Sequence, residues 1–150
     1  MKGKRFTFDT NILVYSMDND ADKKHELAIT LLDGSIGFVC VLTLQSLTEF
    51  FSVVTRKSKM PLAEARDQIN DWMELYPVIS GTQKTLTHAM GAVINHSFSF
   101  WDAMIWAVSY EAGVSYIISE DFQDGRELNG VHFLNPFQMD KNKINEILFK

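Results

Sequence analysis

The stretch FWDAMIWAVSYEAGVSYIISED, residues 100–121, reads as a helix followed at once by a strand. Apolar residues fill nearly every side of the segment 100–112. Phe100, Met104 and Ala107 lie on one side of the wheel and Ile105 and Val108 on another, and a helix that is apolar all round is a buried one. SYIIS (115–119) then makes the strongest strand of the chain. The same alternation extends in both directions. Upstream, RFTFD (5–9) is a short strand, and Leu27, Ala28, Leu31 and Leu32 mark a helix over about 21–32 that stops at Asp33-Gly34. FVCVL (38–42) suits a buried strand, and Leu44, Leu47, Phe51 and Val54 recur at helical spacing on into Arg56-Lys57. Pro61 stands where a helix takes its first residue, with Ala65, Ile69, Trp72 and Met73 as the apolar face, and 77–79 is a weak strand. Helices over about 82–95 and 100–112 follow, and after SYIIS come a polar loop, a strand at VHFL (131–134) and a helix from about Lys141. Strands alternating with helices of this length predict βαβ units. The expected fold is a single α/β domain over 1–150, three-layered and Rossmann-like, with a mostly parallel sheet flanked by helices.

Composition narrows the function classes. A chain of 150 residues with 46% hydrophobic and 22% charged residues is globular and large enough for one core. The single cysteine, Cys40, excludes an intrachain disulfide and fits a reducing compartment. No apolar run approaches the ~18 residues of a membrane span, and the N-terminal MKGKRFTFDT lacks an apolar signal core, so a cytoplasmic protein with no membrane partner is expected. Fourteen Lys and Arg against nineteen Asp and Glu give a net charge of -5, which disfavours tight sequence-independent binding to a nucleic-acid backbone. It leaves open a nuclease whose metal carries the charge balance.

In open parallel sheets ligands lie beyond the carboxyl ends of the strands, and acids stand at those ends here. Asp9 ends the first strand; Asp-Thr-Asn is also a good helix N-cap. Asp121 follows the 115–119 strand in IISEDFQDG (117–125), where a polar turn is the alternative. Asp102 opens the apolar helix. Ser99 and Asp102 form an S-x-x-D capping-box pattern, so that segment alone fits a cap and a metal ligand equally. Glu49 points away from the Leu44/Leu47/Phe51/Val54 stripe, alongside Gln45, Ser52 and Arg56, and by itself reads as part of a solvated face. Convergent carboxylates without basic partners repel unless a divalent cation sits among them, and hard oxygen ligands without Cys or His clusters suit Mg²⁺ or Mn²⁺. The four histidines have no zinc-site spacing, and there is no phosphate-binding glycine loop or nucleophile elbow.

The order D-x-N-x-L-x-Y from Asp9, the Glu49-Phe50 pair on a helix, F-W-D-A at 100–103 and S-E-D at 119–121 resembles the PIN-domain ribonucleases, and among them the VapC-type toxins of bacterial toxin–antitoxin pairs. The resemblance runs from Phe8 to Phe137 and includes the Asn-Pro-Phe after the last strand. It implies a PIN-like fold and maps the acidic quartet onto Asp9, Glu49, Asp102 and Asp121, as catalytic residues and as ligands of Mg²⁺ or Mn²⁺. Asn11, Ser119, Glu120 and Asp124 become supporting residues, with the ligand among Glu120, Asp121 and Asp124 left open. It implies metal-assisted hydrolysis of an RNA phosphodiester, a cognate antitoxin and a homodimer. Arg56, Lys57 and Lys59 could touch phosphates, although a helix C-terminus collecting cations explains them as well.

Two other readings compete. A receiver-like phosphoacceptor module shares the size and class, but it wants paired acids at the first strand and a late lysine, which the 115–125 segment lacks. A non-catalytic PIN-like scaffold is the other. The dimer expectation also draws on apolar material surplus to a core already supplied: Trp72, Met73, Tyr76 and Phe149.

Overall fold

The computed structural model describes residues 4–57, 59–122 and 125–150. Strand β1 (Phe6–Phe8) leads through Asp9 into α1 (Thr10–Met17), and α2 (Lys23–Ser35) follows a single 3-10 turn. Next come β2 (Leu42–Thr43), α3 (Leu44–Arg56), α4 (Leu62–Leu75), β3 (Val78–Ile79), α5 (Gln83–His96) and α6 (Phe100–Glu111). The chain ends with β4 (Tyr116–Ile118), β5 (Glu127–Leu128), β6 (Val131–Leu134) and α7 (Lys141–Leu148).

The strands order as β1-β4-β6-β5, with β2 beside β3. A parallel bridge between Phe6 and Cys40 carries the β2 segment onto the free edge of β1. Among the described residues all strand pairings are parallel except β5 with β6. The predicted parallel sheet is therefore present. It carries one addition, since Asn129 and Gly130, both at positive φ, turn the chain into a hairpin that adds β5. The expected strand 38–42 is shorter than its sequence suggests, because Cys40 makes only a bridge and the ladder is confined to Leu42–Thr43.

Side-chain alternation along the strands divides the core in two, as a sheet covered on both faces requires. Phe6, Phe8, Ile118 and Leu134 face α1, α2, α3, α4 and α7, packing with Leu31, Phe50 and Trp72. Ile117 and Phe133 face α5 and α6, packing with Ala89, Trp106 and Phe122. Fully burying a phenylalanine such as Phe8 or Phe133 contributes roughly 2–3 kcal/mol each.

Three expectations are corrected by this packing. Helix α2 runs through Asp33-Gly34 to Ser35, and the left-handed residue lies later, at Gly37. Gly34 answers a different demand: a Cβ there would meet the Phe149 ring at 3.1 Å. Of the four residues thought surplus to the core, Trp72 and Tyr76 are buried and Phe149 packs edge-on against Phe6, leaving only Met73 exposed. Finally, α6 is buried through Ala103 and Ile105–Ser109, but Phe100, Trp101 and Tyr110 stand out to solvent.

Candidate active site

Parallel register builds the first half of the site. Phe8 pairs with Ile118, so the residues that leave the two strands, Asp9 and Ser119, emerge side by side. Asp9 is the N-cap of α1 and its carboxylate accepts from the Thr10 N–H at 2.8 Å. The capping reading was right, and it is only part of the role. The other carboxylate oxygen accepts the Ser119 hydroxyl at 2.8 Å. Ser119 is fully buried, and its oxygen also receives the Asn11 amide and the Asp121 N–H, each at 3.1 Å. Asn11 in turn accepts from the Glu120 N–H. One serine thus ties the loop after β4 to the carboxylate after β1.

Asp9 is buried with 8% exposure. Burial pushes its carboxyl up to about 6, against the pull of the Ser119 and Thr10 hydrogen bonds, and the charges of Asp121 and Glu49 push it further the same way. Two of the other expected acids, Glu49 and Asp121, therefore bear on Asp9.

Glu49 does not stand on an open face. It is half-buried, accepts the Thr10 hydroxyl at 3.0 Å and receives the Gln45 amide at 3.2 Å. The reason is a rotation of α3: it buries Ser46, Leu47, Phe50 and Val54, leaving Leu44 and Phe51 partly in solvent. The Gln45 amide also donates to the Trp101 carbonyl at 3.1 Å, joining α3 to the first turn of α6, where Asp102 sits half-buried. The capping box expected of Asp102 is not formed, since Ser99 makes no side-chain cap bond. Asp102 is not among the charges that perturb Asp9.

Of the loop acids, Glu120 is engaged elsewhere. It accepts the Tyr15 hydroxyl and pairs with Lys24 at 2.8 Å. Asp121 is exposed and lines an open cleft of about 390 Å³ with Thr10, Asn11, Glu49, Lys57 and Lys59. Asp124 lies outside the described residues. Lys59 is held by Asp18 at 2.8 Å, and Arg56, at the end of α3, is not part of the cleft wall. Sequence reasoning overlooked Thr10 and took Gln45 for a surface residue. The i,i+4 spacing of Gln45 and Glu49 was the available signal.

Glu49 and Asp121 on the cleft wall, with Asp9 buried next to Thr10, offer carboxylate oxygens, and that donor set chemically fits a hard divalent cation. It is not a closed cage, since among the described residues no three His, Cys, Asp or Glu side chains are already placed to hold a metal ion.

A Rossmann-like sheet whose parallel strands end in carboxylates over an open cleft defines an α/β domain equipped with oxygen ligands. Residues 6–123 match the PIN domain, and the chain belongs to that family. No protein of curated function matches it by sequence. Among solved structures it is similar to VapC20 of Mycobacterium tuberculosis, a toxin that cleaves the sarcin–ricin loop. The identity there is 20%, over 75% of this chain and 86% of that one, with a TM-score of 0.60. A toxin–antitoxin complex from Klebsiella pneumoniae is 16% identical over 89% of this chain and 98% of that one, at a TM-score of 0.65. VapBC2 of Rickettsia felis, bound to a DNA fragment from its promoter, is 12% identical over 86% and 96%, at 0.61. These likenesses establish the PIN fold with its mostly parallel sheet. Among the described residues no helix is long and apolar enough to cross a membrane.

Proposed function

We propose that this chain is a divalent-metal-dependent endoribonuclease and the toxin of a type II toxin–antitoxin pair, acting in the cytoplasm. The observation that carries the reading is Asp9: a PIN-family chain buries a carboxylate at a strand end and aims the charges of Glu49 and Asp121 at it. Asp9, Asp102 and Asp121 would hold Mg²⁺ or Mn²⁺, with Glu49 completing the set. When bound, such an ion supplies a Lewis acid that polarises a phosphoryl oxygen and makes water a better nucleophile near neutral pH.

The protein's own residues supply position. Ser119 and Thr10 fix both oxygens of Asp9, so its carboxylate needs no reorganisation to receive a cation. Thr10 and Gln45 hold Glu49 toward the cleft, where it can orient a water or the ion's ligand shell. Glu120 is a brace for the loop rather than a ligand, because Lys24 and Tyr15 already satisfy its carboxylate. Lys57 on the cleft wall would meet an RNA phosphate, with Lys59 and Arg56 contributing less. An antitoxin that silences it is part of this reading, supported by the toxin–antitoxin complexes among the similar structures, and a homodimer is proposed with it. A receiver-like phosphoacceptor role has no support in a PIN-family chain.

Incubation with structured RNA, in Mg²⁺ or in EDTA, tests the proposal. Cleavage should require the metal, and Asp9→Asn or Glu49→Gln should lower it at least about a hundredfold. Cleavage undiminished in excess EDTA overturns the metal mechanism. A chain that binds RNA without cutting it would be the scaffold.

A further inference from the structure

Beside the acidic cleft lies a second hollow of about 490 Å³, whose walls include Leu44, Gln45, Thr48, Glu49, Trp101 and Met104. Glu49 lines both. We infer that Trp101 is a stacking platform for an unpaired nucleobase of the RNA substrate, seated in this hollow next to the phosphodiester that the carboxylates face. The inference rests on the ribonuclease reading above.

Trp101 is unusual among the tryptophans of this chain. Its side chain is 63% exposed, whereas Trp72 and Trp106 are buried in the core. It is also held in place: the Phe100 ring packs against it edge-on at 4.9 Å, and its carbonyl takes the amide of Gln45, the residue that also holds Glu49. The backbone that carries the indole and the acid are therefore joined through a single side chain. A nucleobase has an apolar face and a polar rim, and the hollow offers the complement, with Leu44, Met104 and Trp101 as walls and Gln45 and Thr48 as hydrogen-bonding groups.

Charge points the same way. A net charge of -5 disfavours drawing RNA affinity mainly from phosphate contacts. Base stacking on an aromatic ring is an uncharged source of affinity, indifferent to that balance. It also selects for RNA structure, because in a duplex both faces of each base are covered, whereas loops and single strands can splay one out. A strand with its phosphate in the acidic cleft would place the adjoining base across Glu49, against Trp101.

The test uses Asp9→Asn protein, silenced for cleavage, in Mg²⁺ with a short single-stranded RNA, alone or annealed to its complement. The single strand should quench tryptophan emission and bind more tightly than the duplex. Adding Trp101→Leu should remove the quench and weaken binding about tenfold or more, while Trp101→Phe should stay within about threefold of the parent. In otherwise wild-type protein, Trp101→Leu should lower kcat/KM on a looped RNA by a similar factor. Unchanged binding and cleavage in Trp101→Leu, with cleavage still lost in Glu49→Gln, overturns the platform and leaves the nuclease standing. A change of particle mass in sedimentation caused by Trp101→Leu would make the hollow a protein interface and also overturn it. A wild-type chain that neither binds nor cuts RNA overturns both readings together.

Discussion

Asp9 makes the metal-free protein sensitive to pH, with a sign and size that follow from its surroundings. Its carboxyl is raised from 3.8 to about 6 in the folded state. The folded chain therefore holds that proton more tightly than the unfolded chain does. The stabilisation is fully present below about pH 4 and is lost as pH rises through 6. The whole effect is about 3 kcal/mol, at 1.36 kcal/mol for each unit of pKa. Between pH 5 and 7.5 the part that disappears is about 1.4 kcal/mol. In a chain of this length that corresponds to a fall of about 4 °C in Tm.

Urea unfolding of EDTA-treated protein, followed by the emission of buried Trp72 and Trp106, measures this loss. Asp9→Asn is the reference, because every other group is common to both proteins and cancels in the difference. The asparagine loses something too. Its amide nitrogen faces the Ser119 oxygen, which already receives Asn11 and the Asp121 N–H, so about 1 kcal/mol goes with the lost hydrogen bond. That cost is a constant offset, whereas the slope is the signal. The wild-type and Asp9→Asn curves should diverge by about 1.4 kcal/mol across the window. Mg²⁺ should add more stability at pH 7.5 than at pH 5, since at pH 5 the ion must displace a proton. Parallel curves would refute the burial-raised pKa of Asp9, and a Mg²⁺ effect of equal size at both pH values would refute Asp9 as a group that holds the ion.

Ser119→Ala strips Asp9 of a donor and leaves the Asn11 amide and the Asp121 N–H without their acceptor, so unfolding should show a loss of about 1–3 kcal/mol. The Ser119 hydrogen bond holds the Asp9 carboxyl down, so the pH midpoint of the stability curve should also move upward. Lys57→Ala should weaken RNA binding evenly across sequences and reduce the salt slope by about one, read by titrations at several salt concentrations. Lys59→Ala should do less, because Lys59 is occupied by Asp18. Gly34→Leu should lower stability by about 1–3 kcal/mol in denaturant melts, since the Phe149 ring already fills the space its side chain needs.

What was legible in the sequence follows the range of the interactions that decide it. The two strand-end acids could be found because apolar runs and their alternation with helices are local signals. Parallel pairing of β1 with β4 then brings Asp9 and the loop at 119–121 together of necessity. Glu49 was harder because adjacent phenylalanines, Phe50 and Phe51, offered two stripes a hundred degrees apart. The stripe through Phe51 turned Glu49 to solvent. Packing against Trp72, whose ring meets Phe50 at 4.8 Å, chose the other. Tyr76 looked like surface material for a similar reason: its hydroxyl is satisfied by Ser35, forty-one residues upstream, and nothing near it in sequence announces that.

The choice between Glu120 and Asp121 shows where local reading ends. The two acids are neighbours with the same charge and nearly the same reach, and no pattern around them separates their roles. Lys24 and Tyr15 separate them, from 96 and 105 residues away, by drawing Glu120 back onto α1 and α2. That pairing also removes one negative charge from a loop that presents another to Asp9. The brace and the exposed acid are two parts of one arrangement. If Lys24 were lost, Glu120 would be released beside a cleft already crowded with carboxylates, and the empty site would lose stability by more than a surface ion pair is ordinarily worth, about 0–1 kcal/mol. A Lys24→Met variant whose metal-free stability falls by more than that, and recovers when Mg²⁺ is added, would tie the brace to the site. A small loss that Mg²⁺ does not touch would reduce it to an ordinary surface pair.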